Sequence, residues 1–314
     1  MIKRQQSCTH LRHFFAKAIT VIGLTLFAFS AHALSFTIPS NGDDVVGRVY
    51  MVTSQQGDTL RTIGYRYDVG HREMYRANPH VSPEAYLKMG SEILIPAQFI
   101  LPPGPRKGIV INLAEYRLYY YIPGSNKVLT FPIGIGKSGW ETPLFTGRII
   151  KKKEHPEWNV PKSVKQYNLS RGIVLPDVMP AGPHNPLGNY ALYTSKSGIL
   201  IHGTNVPLGV GSRVSSGCIR LYPKDIKKLF QHASVGTSVR VIYAPYKVGT
   251  LQNQVYLEAH PNLSSYSRVY YSSLTPLLNT IMRDYSNPIH GSLNWRVVKY
   301  VATKQYGVPQ KVSQ

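Results

Sequence analysis

Apolar and polar positions change period several times along this chain, and each change marks an element. Residues 108–121, GIVINLAEYRLYYY, hold two nearly unbroken apolar and aromatic runs separated by Ala114-Glu115, which predicts a hairpin of two strands. Further β-type runs lie at 128–135, 145–150, 190–193, 198–201 and 238–243, with turn signals such as Pro123-Gly124 between them. Helical spacing is confined to short pieces. Leu60, Ile63 and Tyr67 follow a cap at Asp58 or Thr59, a second helix covers 71–77 and stops at Asn78-Pro79, and Ile226, Leu229 and Phe230 follow Pro223. Many short strands with minor helices predict a mostly β chain of the α+β class.

The same pattern divides the chain. A strand at 49–53, the first two helices and a strand at 92–95 form a βααβ unit spanning about 47–97. Pro96 and Leu101-Pro102-Pro103-Gly104-Pro105 then predict a stiff linker, because proline fixes φ and removes donors. A larger β-rich domain is expected from 107 to 244, interrupted at 151–189 by a Lys-, Pro- and Gly-rich excursion suited to act as a lid or as one wall of a substrate groove. Residues 245–314 predict a small helical C-terminal subdomain: Thr275 caps one helix, and Ser292 caps another with Leu293, Val297, Tyr300 and Val301 on one face.

The first 33 residues change this picture, since they need not belong to the fold. Lys3, Arg4, Arg12 and Lys17 precede an apolar run and Ala31-His32-Ala33, the three parts of a secretory signal peptide. Its apolar run of about 14 residues is shorter than the roughly 20 that a membrane span needs. Export to the periplasm or cell envelope is therefore expected. The leader carries four of the 36 basic residues and none of the 15 acidic ones, leaving 32 against 15, a formal +17. In an exported protein such a field favours polyanionic wall or membrane-surface polymers, and without any zinc-finger or RNA-binding signature it excludes nucleic acid as the expected partner.

Cleavage after Ala33 also removes Cys8, so Cys218 becomes the single cysteine and no internal disulfide can form. A lone thiol under oxidising conditions is a liability unless it has a use. It lies in HGTNVPLGVGSRVSSGCIRL, residues 202–221, a Gly- and Ser-rich loop between β-type runs. The His nearest to Cys218 in this loop is His202, sixteen residues upstream, and a thiol needs such a base to become a nucleophile at neutral pH. Gly217 clears the approach to Cys218, and with Ser216 it brings backbone N–H groups toward a developing oxyanion. Arg220 projects to the same side as Cys218 in an extended segment and is suited to clamp a substrate carboxylate. Ser215, Tyr193 and His184 are the remaining groove candidates. GIGKSG at 134–139 fails as a phosphate loop because Phe131 stands where its first Gly is required. No metal-ligand spacing occurs and no cofactor is implied.

His202-Gly203-Thr204 followed by Ser215-Ser216-Gly217-Cys218-Ile219-Arg220 resembles the signature of the YkuD-type L,D-transpeptidases, and the likeness extends over about 107–244, including PAGPHNPLG. The GDTL, YRANP and LKMGSEILIP segments of the βααβ unit resemble a LysM domain. The first resemblance implies a β-sandwich-like catalytic domain with Cys218 as acyl-accepting nucleophile, His202 as its base and the Gly203 carbonyl orienting the imidazole. The second implies binding to N-acetylglucosamine-containing glycan. Together they point to the periplasmic subgroup that forms 3→3 cross-links or attaches an envelope lipoprotein to peptidoglycan, acting on tetrapeptide stems. Many members carry His immediately before the Gly-Cys pair, where this chain has Ser216. The alternatives are an L,D-carboxypeptidase or endopeptidase that accepts water, and a wall-binding protein with a silent thiol.

Overall fold

The computed structural model describes residues 34–263, 275–284 and 292–314. The expected signal peptide and parts of the C-terminal stretch lie outside these residues. Helix and sheet both occur, with strand predominant.

A nine-stranded sheet forms the frame, in the order Leu34–Thr37, Lys127–Pro132, Arg117–Tyr121, Gly108–Asn112, Ser238–Ile242, Phe145–Glu154, Tyr190–Thr194, Leu200–His202 and Ile219–Arg220. Neighbours are antiparallel except at two places. Ser238–Ile242 runs parallel to Gly108–Asn112, and Leu200–His202 runs parallel to Ile219–Arg220. The hairpin at 108–121 forms as expected, with Gly108 opposite Tyr121 and Asn112 opposite Arg117.

Both faces of this hairpin are covered, which explains why its strands lack alternation. Ile109, Ile111, Leu118 and Tyr120 join a core with Phe131, Leu192, Ile201, Ile219 and the helical Ile226 and Leu229. Val110, Tyr119, Tyr121 and Val128 point the other way, onto Val46, Phe99 and Leu101. Those last three residues come from the βααβ unit and its exit, so that unit packs on the back of the large sheet.

The unit itself has strands Val45–Thr53 and Glu92–Ile100 and helices Leu60–Arg66 and His71–Ala77. Leu60, Ile63, Val69, Met74, Ile93 and Ile95 fill it. Thr59 is the cap, its hydroxyl accepting from Thr62 N at 3.1 Å. The second strand runs five residues beyond the expected 92–95, through Pro96, so half of the expected linker is sheet. A two-stranded ribbon leaves each strand a free edge, where a missing N–H costs no ladder bond.

Two knots of buried charge hold the unit in place. Arg117, wholly buried at 0% exposure, donates to Glu73 at 2.7 and 2.9 Å and stacks 4.3 Å from the Phe99 ring centre. Lys247 Nζ lies 2.6 Å from Glu115 and 3.0 Å from Glu258, and donates to the Ile100 carbonyl at 2.7 Å. Glu258 accepts from Ile100 N at 2.7 Å, so both backbone groups of that residue are held.

Two regions differ from expectation. The strand expected at 145–150 continues to Glu154 despite the run Lys151-Lys152-Lys153, because Tyr190–Tyr193 pairs with 151–154 where the ladder to Ser238–Val241 at 145–148 has ended, while much of its length stays solvated. The excursion after it contains a helix, Lys162–Leu169, and a short pair, Trp158–Asn159 with Val178–Met179. The C-terminal stretch adds to its expected helices, Thr275–Asp284 and Trp295–Lys304, a sheet of Tyr246–Leu251, Gln254–Ala259 and Gln310–Lys311. Gln252 and Asn253 both have positive φ, 50° and 62°, the tight hairpin turn that such a pair makes. Asn294 rather than Ser292 caps the last helix, accepting from Val297 N at 3.3 Å. Its buried side chains are Val298, Val301 and Ala302, and Tyr300 is exposed, so the inward face is rotated from the one expected.

Candidate active site

The parallel pair at the sheet edge puts the segments that carry His202 and Cys218 side by side. Ile201 lies opposite Ile219 and His202 opposite Arg220, both isoleucines pointing into the main core, which fixes the register. Cys218 stands one residue ahead of that pair. Its Sγ lies 3.5 Å from Leu200 N and 3.5 Å from the Gly198 carbonyl, and the residue is partly exposed. The thiol thus sits beside the strand that carries His202.

His202 is 2% exposed, and its Nδ1 is 2.7 Å from the Gly203 carbonyl. A carbonyl can only accept, so Nδ1 carries the proton and Nε2 is left with its lone pair. Gly203 is held in turn: its N–H donates to the Tyr190 carbonyl at 3.1 Å, and Leu221 N donates to the His202 carbonyl at 2.9 Å. A Cβ on Gly203 would meet Ile226 at 3.1 Å and the Leu187 carbonyl at 3.3 Å, so helix Pro223–His232 and residue 187 close around the turn.

A cradle of hydrogen bonds shapes the Cys218 backbone. Ser215 Oγ donates to the Cys218 carbonyl at 2.5 Å and accepts from Gly217 N at 3.1 Å. Thr142 Oγ1 donates to the Gly217 carbonyl at 2.8 Å. Gly217 has φ +107°, a backbone conformation open to glycine and strained for any other residue, although a Cβ there would meet nothing closer than 3.5 Å. Its N–H is engaged by Ser215, so a reacting oxygen would have to displace that bond. Ser216 is exposed.

The electrostatics leave the pair neutral at rest. Burial, then the nearby Arg220 charge, pushes His202 down to about 3, against smaller opposing effects of backbone hydrogen bonds with Gly203 and Leu187. Burial raises the Cys218 thiol, with the Leu200 amide and Arg220 acting in the opposite direction. Arg220 is itself lowered by burial, and its Nε is buried without a hydrogen-bond partner. No carboxylate pairs with it among the described residues.

The other predicted groove residues are placed unevenly. Tyr193 is half-buried opposite Leu200, with Lys151 Nζ 5.4 Å from its ring centre. His184 is exposed, and what it offers the site is its carbonyl, which accepts from Asn205 at 3.3 Å. The PAGPHNPLG segment works instead through Asn185, buried and bonded to the Pro156 and Pro180 carbonyls at 2.9 and 3.0 Å and to Leu187 N at 2.9 Å. Asn185 and Thr142 lie outside the sequence-predicted set. Turn-forming residues carry no signal that separates a structural from a site role. Glu115, Glu258 and His260 form a donor cluster of metal-ligand size, but the Lys247 ammonium occupies it.

Comparison with known proteins covers most of the chain. The L,D-transpeptidase catalytic domain family, YkuD, matches residues 106–241, and the LysM domain family matches 53–96. The probable L,D-transpeptidase YcfS of Escherichia coli K12 is 38% identical over 299 residues, 93% of this chain and 92% of that protein. The probable L,D-transpeptidase ErfK/SrfK of the same strain is 43% identical over 253 residues, 78% of this chain and 80% of that one. Among solved structures, the catalytic domain of an E. faecium L,D-transpeptidase aligns at 25% identity and TM-score 0.34, over 43% of this chain and 96% of that one.

Proposed function

The chain belongs to the L,D-transpeptidase family, acyltransferases of peptidoglycan, and from that premise we propose that Cys218 is its nucleophile and His202 its general base. The observation that supports this is the parallel pairing of 200–202 with 219–220, which sets the thiol beside the strand of an imidazole whose Nδ1 is tied to the Gly203 carbonyl.

With Nδ1 protonated, Nε2 accepts the thiol proton as the substrate arrives. The thiolate then attacks the carbonyl of the L-centre of meso-diaminopimelate in a tetrapeptide stem. The imidazolium returns the proton to the departing amine, D-Ala leaves, and a thioester to Cys218 remains. An incoming amine loses a proton to His202 and attacks the thioester, which restores the thiol. Because both groups are neutral at rest, the ion pair is made by substrate binding, with substrate replacing water around it.

Arg220, partly buried and without a carboxylate partner among the described residues, is the group to hold a stem carboxylate, and Tyr193 and Ser215 remain the further groove candidates. Ser216 is exposed where many family members place histidine, so this chain makes one groove contact differently. The acceptor amine is a second stem or a lysine of an envelope lipoprotein. The 1–33 leader and the basic charge support a periplasmic location, and no helix among the described residues is long and apolar enough to cross a membrane.

Intact mass spectrometry of the mature protein with disaccharide-tetrapeptide, with and without an added amine, tests this reading. The expected result is a covalent adduct on Cys218 with D-Ala release, followed by a cross-linked product. Tripeptide without cross-linked product would assign the enzyme to hydrolysis, and no adduct from reduced, folded protein would leave a wall-binding protein.

A further inference from the structure

The loop that joins the two reactive residues leans on the LysM domain. Arg61, on helix Leu60–Arg66, donates through Nη1 to the Leu208 carbonyl and through Nη2 to Glu84 at 2.7 Å. Leu208 belongs to the single helical turn Pro207–Gly209, which buries no side chain; Leu208 and the preceding Val206 are exposed, and the first buried side chain is Val210 just after the turn. Three residues on, Gly211 has φ +84°, and a Cβ there would lie 2.3 Å from His71 N and 2.8 Å from the Gly70 carbonyl carbon. Loop backbone therefore touches the start of helix His71–Ala77 directly.

Between this contact and the nucleophile the loop is bonded to residues 135–137. Ile135 N donates to the Ser212 carbonyl at 3.0 Å, Arg213 Nε to the Gly136 carbonyl at 3.0 Å, and Lys137 N to the Ser215 carbonyl at 3.0 Å. Ser215 then holds the Cys218 carbonyl. On the other side of Cys218, Lys224 donates to the Tyr65 carbonyl at 2.8 Å and pairs with Asp68, and Tyr222 meets the Tyr65 ring edge-on at 4.8 Å. The segments before and after the nucleophile are thus both attached to the LysM domain.

We propose that the LysM domain is a fixed wall of the transpeptidase site, and that Arg61 is a positioning residue that sets Cys218 through the Leu208 carbonyl. This rests on the assignment of Cys218 as nucleophile. The chemistry is sensitive to such support, since a displacement of about 1 Å at the reacting atoms can cost roughly 100-fold. Arg61's second partner, Glu84, is 71% exposed, and an exposed ion pair adds little stability. Loss of Arg61 should therefore show in rate rather than in folding.

The test compares the mature protein with Arg61→Ala, Arg61→Lys and Glu84→Gln, reading D-Ala release from disaccharide-tetrapeptide and the pH profile of Cys218 alkylation by iodoacetamide. Arg61→Ala is expected to lower kcat by roughly 10- to 100-fold, with KM within about twofold, and to displace the alkylation profile. Arg61→Lys keeps one donor for Leu208 and should recover much of the loss, while Glu84→Gln stays near wild type. Gly211→Ala, which drives a methyl into the His71 backbone, should reproduce the Arg61→Ala profile if it folds. A wild-type kcat and alkylation profile in Arg61→Ala, or a fall in thermal stability alone, would overturn the proposal. Absence of turnover in the wild-type protein would sink the transpeptidase assignment instead, and the alkylation profiles would still decide whether Arg61 positions the thiol.

Discussion

Arg117 is wholly buried and Arg220 partly buried with its Nε out of reach of solvent, and the surroundings of the two guanidiniums are opposites. Arg117 has a bidentate carboxylate in Glu73, a hydroxyl in Thr130 and the Asp68 carbonyl. Arg220 has a buried Nε with no partner, and burial lowers its pKa against a smaller opposing effect of Cys218. A buried cation is costly unless matched, so the first arrangement makes a joint and the second leaves a cation suited to the stem carboxylate proposed for it. The same division separates the two regions. At the LysM junction Arg117 and Lys247 each have a counter-charge, whereas the catalytic edge keeps a cation, a thiol and a neutral imidazole ready for substrate.

The largest effect that would sharpen this contrast is at Cys218. Cys218→Ala should abolish D-Ala release and adduct formation while leaving the urea unfolding midpoint nearly unchanged, since a partly exposed thiol contributes little to the core. The reverse behaviour is expected at the junction. Glu73→Gln leaves Arg117 buried without its counter-charge and should cost about 3–5 kcal/mol of stability in urea titration. A loss under about 1 kcal/mol would mean that the junction tolerates an open cation as the active site does, and the contrast would fail.

Arg220→Ala should produce the intermediate effect. Loss of a charge-assisted contact worth about 1.5–3 kcal/mol should raise KM for the stem by roughly 10- to 100-fold, with thermal stability held or improved because an unmatched buried charge is gone. The same variant should raise the His202 pKa, whose second-largest depressing influence is Arg220.

The smallest effect concerns pH. His202 and His260 titrate near 6.5 in an unfolded chain, but burial holds both down to about 3 in the folded protein. Between those values the unfolded chain binds more protons, so these two groups remove stability as pH falls through the window, by at most about 1.4 kcal/mol per pH unit each. Calorimetry between about pH 6.5 and 5 should show a shallower decline for His202→Gln than for wild type. Superimposable slopes would mean that His202 titrates alike in the folded and unfolded chains, against its burial.

Much of the catalytic edge is legible in the sequence. Cys218 and His202 stand out because reactive residue types in a Gly- and Ser-rich loop have few other uses. Arg220 follows from period-two alternation along the segment that carries the thiol. Within PAGPHNPLG, sequence reasoning offers His184 only as a groove candidate, since a surface histidine without a partner is more often solvated, and the tertiary structure gives the burial and the hydrogen bonds to Asn185. The C-terminal sheet leaves no clear local pattern, because two of its strands are a hairpin turning on Gln252-Asn253 and the third, Gln310–Lys311, is distant in sequence.

By itself the sequence determined the β-rich frame and the βααβ unit, and it singled out Cys218 and His202 as candidates, since periodicity and local residue chemistry are short-range properties carried by neighbours along the chain. Only the tertiary structure decided that the proline-rich segment is half strand, that the LysM domain is locked to the sheet through Glu73–Arg117 and Lys247, and that its Arg61 reaches the active-site loop. Those contacts, Arg117 to Glu73, Lys247 to the Ile100 carbonyl and Arg61 to the Leu208 carbonyl, join residues 44, 147 and 147 positions apart. No local pattern records which charge will meet which, because pairing across such distances is selected by the shared cost of burying both partners once the strands have set their places.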